Sequence, residues 1–301
     1  MEYQSGAVGP VDSIQEGWNI IKDDYWTFFG MTLVAIIITI IAAMILGLIN
    51  NLVVAGISTA FSAGMRSTGD AGNLSAALIP QLISMIISFF TGIIVGTLSG
   101  VLFCGIYTAL ANKVTRGTAD FGDLFSGFPK ILSCLIVATV LSVVQFAISA
   151  VTLLIGGALG VSVLGAGMLT KDGQFNPAVF SGIFAGVLLI IIVNVVVNLL
   201  VSVLTTFAYP LIAERNLSGG SALMLSAKAA FANIGGIILL MILLALIALG
   251  GALACLVGIL FVAPIMSAAI FAAYQSVFGR NSGFSQSTPP PPPIFNNQPG
   301  Y

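Results

Sequence analysis

The segment 221–274, SALMLSAKAAFANIGGIILLMILLALIALGGALACLVGILFVAPIMSAAIFAAY, constrains this chain more than any other. From Ile234 to Tyr274 no residue carries a charge. About twenty apolar residues in a helix suffice to cross the hydrocarbon core of a bilayer. The segment therefore holds two crossings, hinged at Gly250 and Gly251, behind a mildly polar helical opening. A soluble protein of 301 residues has no interior large enough to hide such a run.

Composition extends that reading to the whole chain. With 58% hydrophobic and 6% charged residues, and a mean hydropathy of +1.12, there is too little polar material to face water, so lipid is the solvent. A membrane β-barrel would alternate polarity over segments of roughly ten residues. Here the runs are continuously apolar over about twice that length, so the spans are helices. The expected class is an all-α, polytopic transmembrane bundle of about six spans.

Taken in order, residues 1–10 form a short, disordered N-terminus. In 11–28, Val11, Ile14, Trp18, Ile21, Tyr25 and Phe28 recur at steps of three and four, which is one face of a helix. Two placements suit this amphipathic opening: in the headgroup plane with Trp18, Tyr25 and Trp26 as anchors, or packed on the protein. Acidic residues precede the first apolar run, which extends from about 28 to 57, so it reads as a retained span and not a signal peptide. A polar loop at 58–75 leads to a second run at 76–111, with Pro80 near its start. Gly92, Gly96 and Gly100 form a small-residue ridge for close helix packing.

A second, shorter opening follows, with Phe121, Leu124, Phe125 and Phe128 on one helical face and Pro129 at its end. The third run, 131–169, has a glycine-rich second half (GGALGVSVLGAGM) where a helix can unwind. The fourth, 178–213, carries Gly182 and Gly186 as a further packing pair and Pro210 as a kink. Aligning the three openings pairs Gly17 with Gly127 and Ser226 as corresponding small positions, which suggests three repeats of amphipathic helix plus helical hairpin, about 11–116, 117–215 and 216–279. With six spans, both termini and the 112–130 and 214–233 loops share one side. That side holds Lys22, Lys113, Arg116, Lys130, Arg215, Lys228 and Arg280, against Arg66 and Lys171 opposite, so both termini are expected in the cytoplasm.

Residues 280–301 are a Pro-rich tail, read as a disordered cytoplasmic segment. Pro289, Pro290, Pro291, Pro292 and Pro293 favour a polyproline II rod able to dock on a cytoplasmic partner protein. The net charge of −1 gives no sign of nucleic acid binding. There is no histidine, and Cys104, Cys134 and Cys255 lie inside apolar runs, where they read as small core residues. The ten acidic residues fall in openings, loops or termini, so no proton relay, metal site or cofactor site emerges, and no enzymatic activity is expected. The polar residues singled out within spans are Asn50, Asn51, Gln145, Asn194 and Asn198, beside scattered Ser and Thr; Asn194 and Asn198 share a helix face. They suit either a solute path or hydrogen bonds between packed helices. Pro210 and Pro264 likewise suit broken helices of a transporter or ordinary kinks.

The strings LIAERNLSGGSALMLSAKAAFANIGGIILL, LGGALACLVGILFVAPIMSAAIFAAY, GWNIIKDDYWTFFG and DLFSGFPK resemble bacterial six-helix membrane proteins related to the membrane domain that accompanies glycerophosphodiester phosphodiesterases. The resemblance implies an inner-membrane protein of six helices. It carries over no phosphodiesterase activity, since the soluble catalytic domain with its His, Asp and Glu set has no counterpart here. Together these readings point to a structural or regulatory scaffold presenting its openings and tail to a partner. The alternative is a transporter or channel for a small neutral or lipid-like solute.

Overall fold

A computed structural model describes residues 3–68, 74–166, 176–253 and 258–279. Among them every regular element is helical: α1 (Pro10–Ile21), α2 (Tyr25–Thr68), α3 (Leu74–Arg116), α4 (Ile131–Ala166), α5 (Pro177–Thr205), α6 (Ala208–Arg215), α7 (Gly219–Ala232), α8 (Ile234–Leu253) and α9 (Gly258–Phe278). Short 3-10 segments occupy Lys22–Asp24 and Phe121–Lys130. Six of the described helical stretches are long and apolar enough to cross a membrane, which fits a multi-pass membrane protein. The shortest, α8, has 20 residues, or roughly 30 Å at 1.5 Å per residue.

Two expected boundaries move. Helix α2 continues through Thr68, so most of the expected 58–75 loop is helical. Ser58 and Thr59 donate to the carbonyls of Val54 and Ala55 one turn back, at 2.7 and 2.9 Å, which accommodates polar side chains within the helix. Helix α4 likewise runs through Ala166 instead of unwinding after Gly156 and Gly157. In an apolar medium a helix satisfies its own backbone groups, whereas an unwound glycine run leaves them unpaired.

The buried core lies toward one end of the bundle. It gathers Ile21, Phe28 and Met31 from α1 and α2, most of Val101–Leu110 in α3, most of α6, Ala222, Ser226, Ala229 and Ala230 on α7, and most of Ala268–Phe278 on α9. The far halves of α2, α4 and α5 instead expose Met44, Leu48, Leu52, Val143, Leu154, Ile191 and Val195, the surface expected of helices bathed in lipid.

The openings follow their apolar periodicity only in part: Ile21, Phe28 and Leu124 are buried, but other members of the expected faces are not. Helix α1 buries Ser13, Gly17 and Ile21, while Val11 is 65% and Trp18 44% exposed. The buried stripe is the small-residue one because α1 lies directly on α9: a Cβ on Gly17 would come within 2.6 Å of the Ala269 amide nitrogen. The 3-10 segment buries Leu124 and Gly127 and turns Phe121, Phe125 and Phe128 outward. Here a Cβ on Gly127 would collide with the Val101 carbonyl. Close backbone contact, rather than bulk, selects the inner face.

The expected kink at Pro210 is present, with a break at Thr206–Phe207 between α5 and α6. Proline has no N–H to close the preceding turn, so the chain opens there. Ser226 on α7 supplies the partners: it accepts a hydrogen bond from the Phe207 N–H at 3.1 Å and donates to the Leu204 carbonyl at 2.7 Å.

Both ends of the described chain meet at the core end. The Gln4 N–H donates to the Val277 carbonyl at 2.8 Å. The Asn233 amide donates to the Gln4 carbonyl at 2.9 Å and accepts from the Ala7 N–H at 2.8 Å. Lys113 pairs with Asp24 at 2.5 Å, Lys130 donates to the Ala213 carbonyl, and Arg215 donates to the Phe278 carbonyl at 2.7 Å. Cations thus sit on carbonyls at the C-terminal ends of α6 and α9, where the helix dipoles are negative.

Candidate functional site

Small residues let α3 and α4 approach, and that approach creates a cleft. A Cβ on Gly92 would lie 3.0 Å from Ser142 Oγ, and one on Gly96 3.2 Å from Ala138 Cβ. The third glycine of the ridge, Gly100, faces elsewhere, 2.7 Å from the Tyr209 ring by the same construction. Beside Gly92 and Gly96, α5 comes in with Asn198, Ser202 and Thr205, and α4 contributes Ser142 and Gln145. These residues line a cleft of about 320 Å³ whose polar groups are all uncharged. Pockets of roughly 300–1,000 Å³ with a few polar groups are typical of small-molecule sites.

The amides in this cleft differ in how far the fold occupies them. Asn198 donates to the Asn194 carbonyl of its own helix at 2.8 Å, and Thr205 to the Val201 carbonyl at 2.8 Å. Gln145 sits fourteen residues into α4, roughly 21 Å along it, with its side chain exposed and no hydrogen-bond partner among the described residues. An amide left unpaired in hydrocarbon costs about 2–7 kcal/mol, so a position such as Gln145 favours a polar occupant of the cleft.

Asn194, one turn before Asn198, faces a different space. Its amide donates to the Ile190 carbonyl at 2.9 Å and to Thr152 Oγ1 on α4 at 3.3 Å, tying α4 to α5. It borders an apolar groove of about 390 Å³ with Val143, Ile148 and Val193. Asn50 plays a similar part between α2 and α3, with its amide 3.4 Å from the hydroxyls of Ser84 and Ser88. A Cβ on Gly182 would meet no atom within 4 Å. Gly186 is half-buried on α5. Pro264 lies inside α9, which continues to Phe278 without a break. Pro289–Pro293, Arg280 and Cys255 lie outside the described residues.

Sequence reasoning missed Ser226 and Asn233 as backbone partners, and it treated the cysteines as unrelated. The fold brings Cys104 and Cys134 together, both buried, with their sulfurs 3.6 Å apart. No group of three or more His, Cys, Asp or Glu side chains that could hold a metal ion occurs among the described residues. Comparison with protein-family models, with curated proteins and with solved structures gives no match.

Proposed function

We propose that this chain is a six-span membrane protein that passes a small neutral or lipid-like molecule through the α3–α4–α5 cleft. The observation that carries the reading is the convergence of Gln145 and Asn198 with Ser142, Ser202 and Thr205 beside Gly92 and Gly96, inside helices otherwise surrounded by apolar side chains. Uncharged donors and acceptors in a lipid-facing cleft suit a neutral ligand, because an ion would need a counter-charge there. The scaffold reading rests on the Pro-rich tail and on a partner protein. Its support is composition alone, so the cleft is preferred.

Three finer features belong to the same proposal. Both termini face the cytoplasm of a bacterial inner membrane, supported by Lys22, Lys113, Arg116, Lys130, Arg215 and Lys228 clustering at the end where the chain termini meet. The hairpins are three copies of one unit, supported by a cyclic set of contacts: Gly17 on Ala269, Gly127 on Gly105, and Ser226 on Phe207, each opening packing on the second span of the unit before it. The kinship with six-helix proteins of the phosphodiesterase-associated type stands on the quoted strings.

Reconstituted vesicles test the reading. Entry of glycerol, followed by light scattering, and transbilayer movement of a fluorescent phosphatidylcholine should each be compared with empty vesicles. Acceleration of either one, lost on Gln145→Leu with Asn198→Leu and kept on removal of 281–301, is the expected result. Rates equal to those of empty vesicles for both probes would refute it.

A further inference from the structure

A second cavity, of about 340 Å³, lies between α2, α3 and α9. Its wall is largely apolar, with Ile36, Phe103, Ile106, Met266 and Ile270, and every residue lining it is uncharged. Thr32, Thr39 and Ser267 are among the residues that line it. Thr39 donates to the Ala35 carbonyl at 2.8 Å and Ser267 to the Ala263 carbonyl at 3.3 Å, the usual one-turn back-bond of a helical hydroxyl. Thr32 does not follow them. It is 3% exposed, its buried Oγ1 has no hydrogen-bond partner among the described residues, and the residue borders the cavity. Buried hydroxyls nearly always have a partner, so this one calls for an explanation.

Depth narrows what the partner is. Trp26, 72% exposed beside Tyr25, has the placement of an interfacial anchor, and Thr32 lies six residues further along α2, roughly 9 Å deeper. A charged headgroup has no counter-ion at that level, and its burial would be opposed by desolvation. We infer that this cavity binds an uncharged long-chain amphiphile, its chain against Ile36, Phe103 and Met266 and a terminal oxygen accepting the Thr32 hydroxyl hydrogen once rotation about χ1 turns the buried Oγ1 toward the cavity. The site shares no residue with the α3–α4–α5 cleft and stands whether or not that cleft conducts a solute.

The test uses the full chain in phosphatidylcholine vesicles and, as probe, hexadecanol carrying a photoreactive diazirine on its chain, with labelled residues mapped by mass spectrometry. Labelling should concentrate on 32–40 of α2 and 263–270 of α9 and be displaced by unlabelled hexadecanol. Ala263→Phe and, separately, Ile36→Trp fill the cavity and should each cut labelling at least tenfold. Thr32→Val should weaken binding about three- to tenfold, the worth of one neutral hydrogen bond, without lowering the melting temperature. Labelling spread evenly over lipid-facing positions such as Met44 and Leu48, and indifferent to both filling variants, overturns the site. Displacement by added short-chain phosphatidylcholine as readily as by hexadecanol overturns the uncharged ligand class, and a Thr32→Val protein that melts lower while binding normally overturns the role of the hydroxyl.

Discussion

Replacing Gly127 by alanine adds one methyl group at the place where the 3-10 segment crosses α3. That methyl would overlap the Val101 carbonyl oxygen and lie 3.1 Å from the Gly105 amide nitrogen. Both neighbours are backbone, so no side chain can rotate away, and the two elements must separate. Overpacking of this kind costs about 1–3 kcal/mol, with the upper end apt for a backbone collision. Separation also disturbs Leu124, fully buried one turn earlier, and the Lys130 contact with the Ala213 carbonyl, which anchors the same segment to α6. Gly182→Ala makes the control. Its methyl meets nothing within 4 Å, and alanine in a helix interior is better than glycine by up to about 1 kcal/mol. The two variants should therefore differ by roughly 2–4 kcal/mol, in opposite directions from the parent. Melting in mild detergent, followed by loss of the monodisperse peak after heating, reports the order even where unfolding is irreversible. At roughly 2 °C per kcal/mol for a chain of this size, Gly127→Ala should melt about 2–6 °C below the parent and Gly182→Ala at or slightly above it. If Gly127→Ala melts with the parent, or Gly182→Ala falls as far, close backbone approach is not what selects the buried face of the openings.

Other changes follow from the same contacts. Ser226→Ala leaves the Phe207 N–H and Leu204 carbonyl without their side-chain partner and should cost about 1–3 kcal/mol, with faster amide exchange confined to 204–208. Arg215→Met removes the donor to the Phe278 carbonyl and to Tyr274 Oη, and should cost about 1.5–3 kcal/mol in melting experiments, whereas Arg215→Lys should recover part of it. Asp24→Asn should matter less: with side-chain exposures of 34% for Asp24 and 15% for Lys113, loss of the pair is expected to cost no more than about 1 kcal/mol and to shrink as salt is raised. Single cysteines placed at Tyr3 and at Lys228, in a background lacking the native cysteines, should both react with a membrane-impermeant maleimide from the same side of sealed vesicles; labelling from opposite sides would contradict the shared end of Gln4, Asn233 and Val277.

Much of the fold is legible along the chain because a bilayer imposes one-dimensional rules. Continuous apolar length fixes which segments can cross, and six helices of sufficient length and hydropathy are found among the described residues. The break at Pro210 follows from a missing N–H. The candidate site was legible only in its members: Gln145 and Asn198 stand out as amides within apolar runs, but nothing in their spacing says that they share a cleft.

What the tertiary structure alone decided concerns facing and partnership. In lipid the inner and outer faces of a helix are both apolar; α2 and α4 are hydrophobic all round, and periodicity cannot tell core from bilayer. Hence α1 buries Ser13 and Gly17 while Trp18 is turned out, and Asn194 and Asn198, on one face in sequence, serve a helix contact and a cleft respectively. The partners that matter come from remote parts of the chain: Gly17 meets Ala269, Cys104 meets Cys134, and the unpaired Thr32 hydroxyl acquires its significance only from a cavity that α9 closes. Composition and length pointed to a lipid medium and to six helices able to cross it, because lipid reads those properties directly. Close approach of backbones, which depends on three-dimensional complementarity among small residues, decided where the openings seat, with Gly17 on α9 and Gly127 on α3.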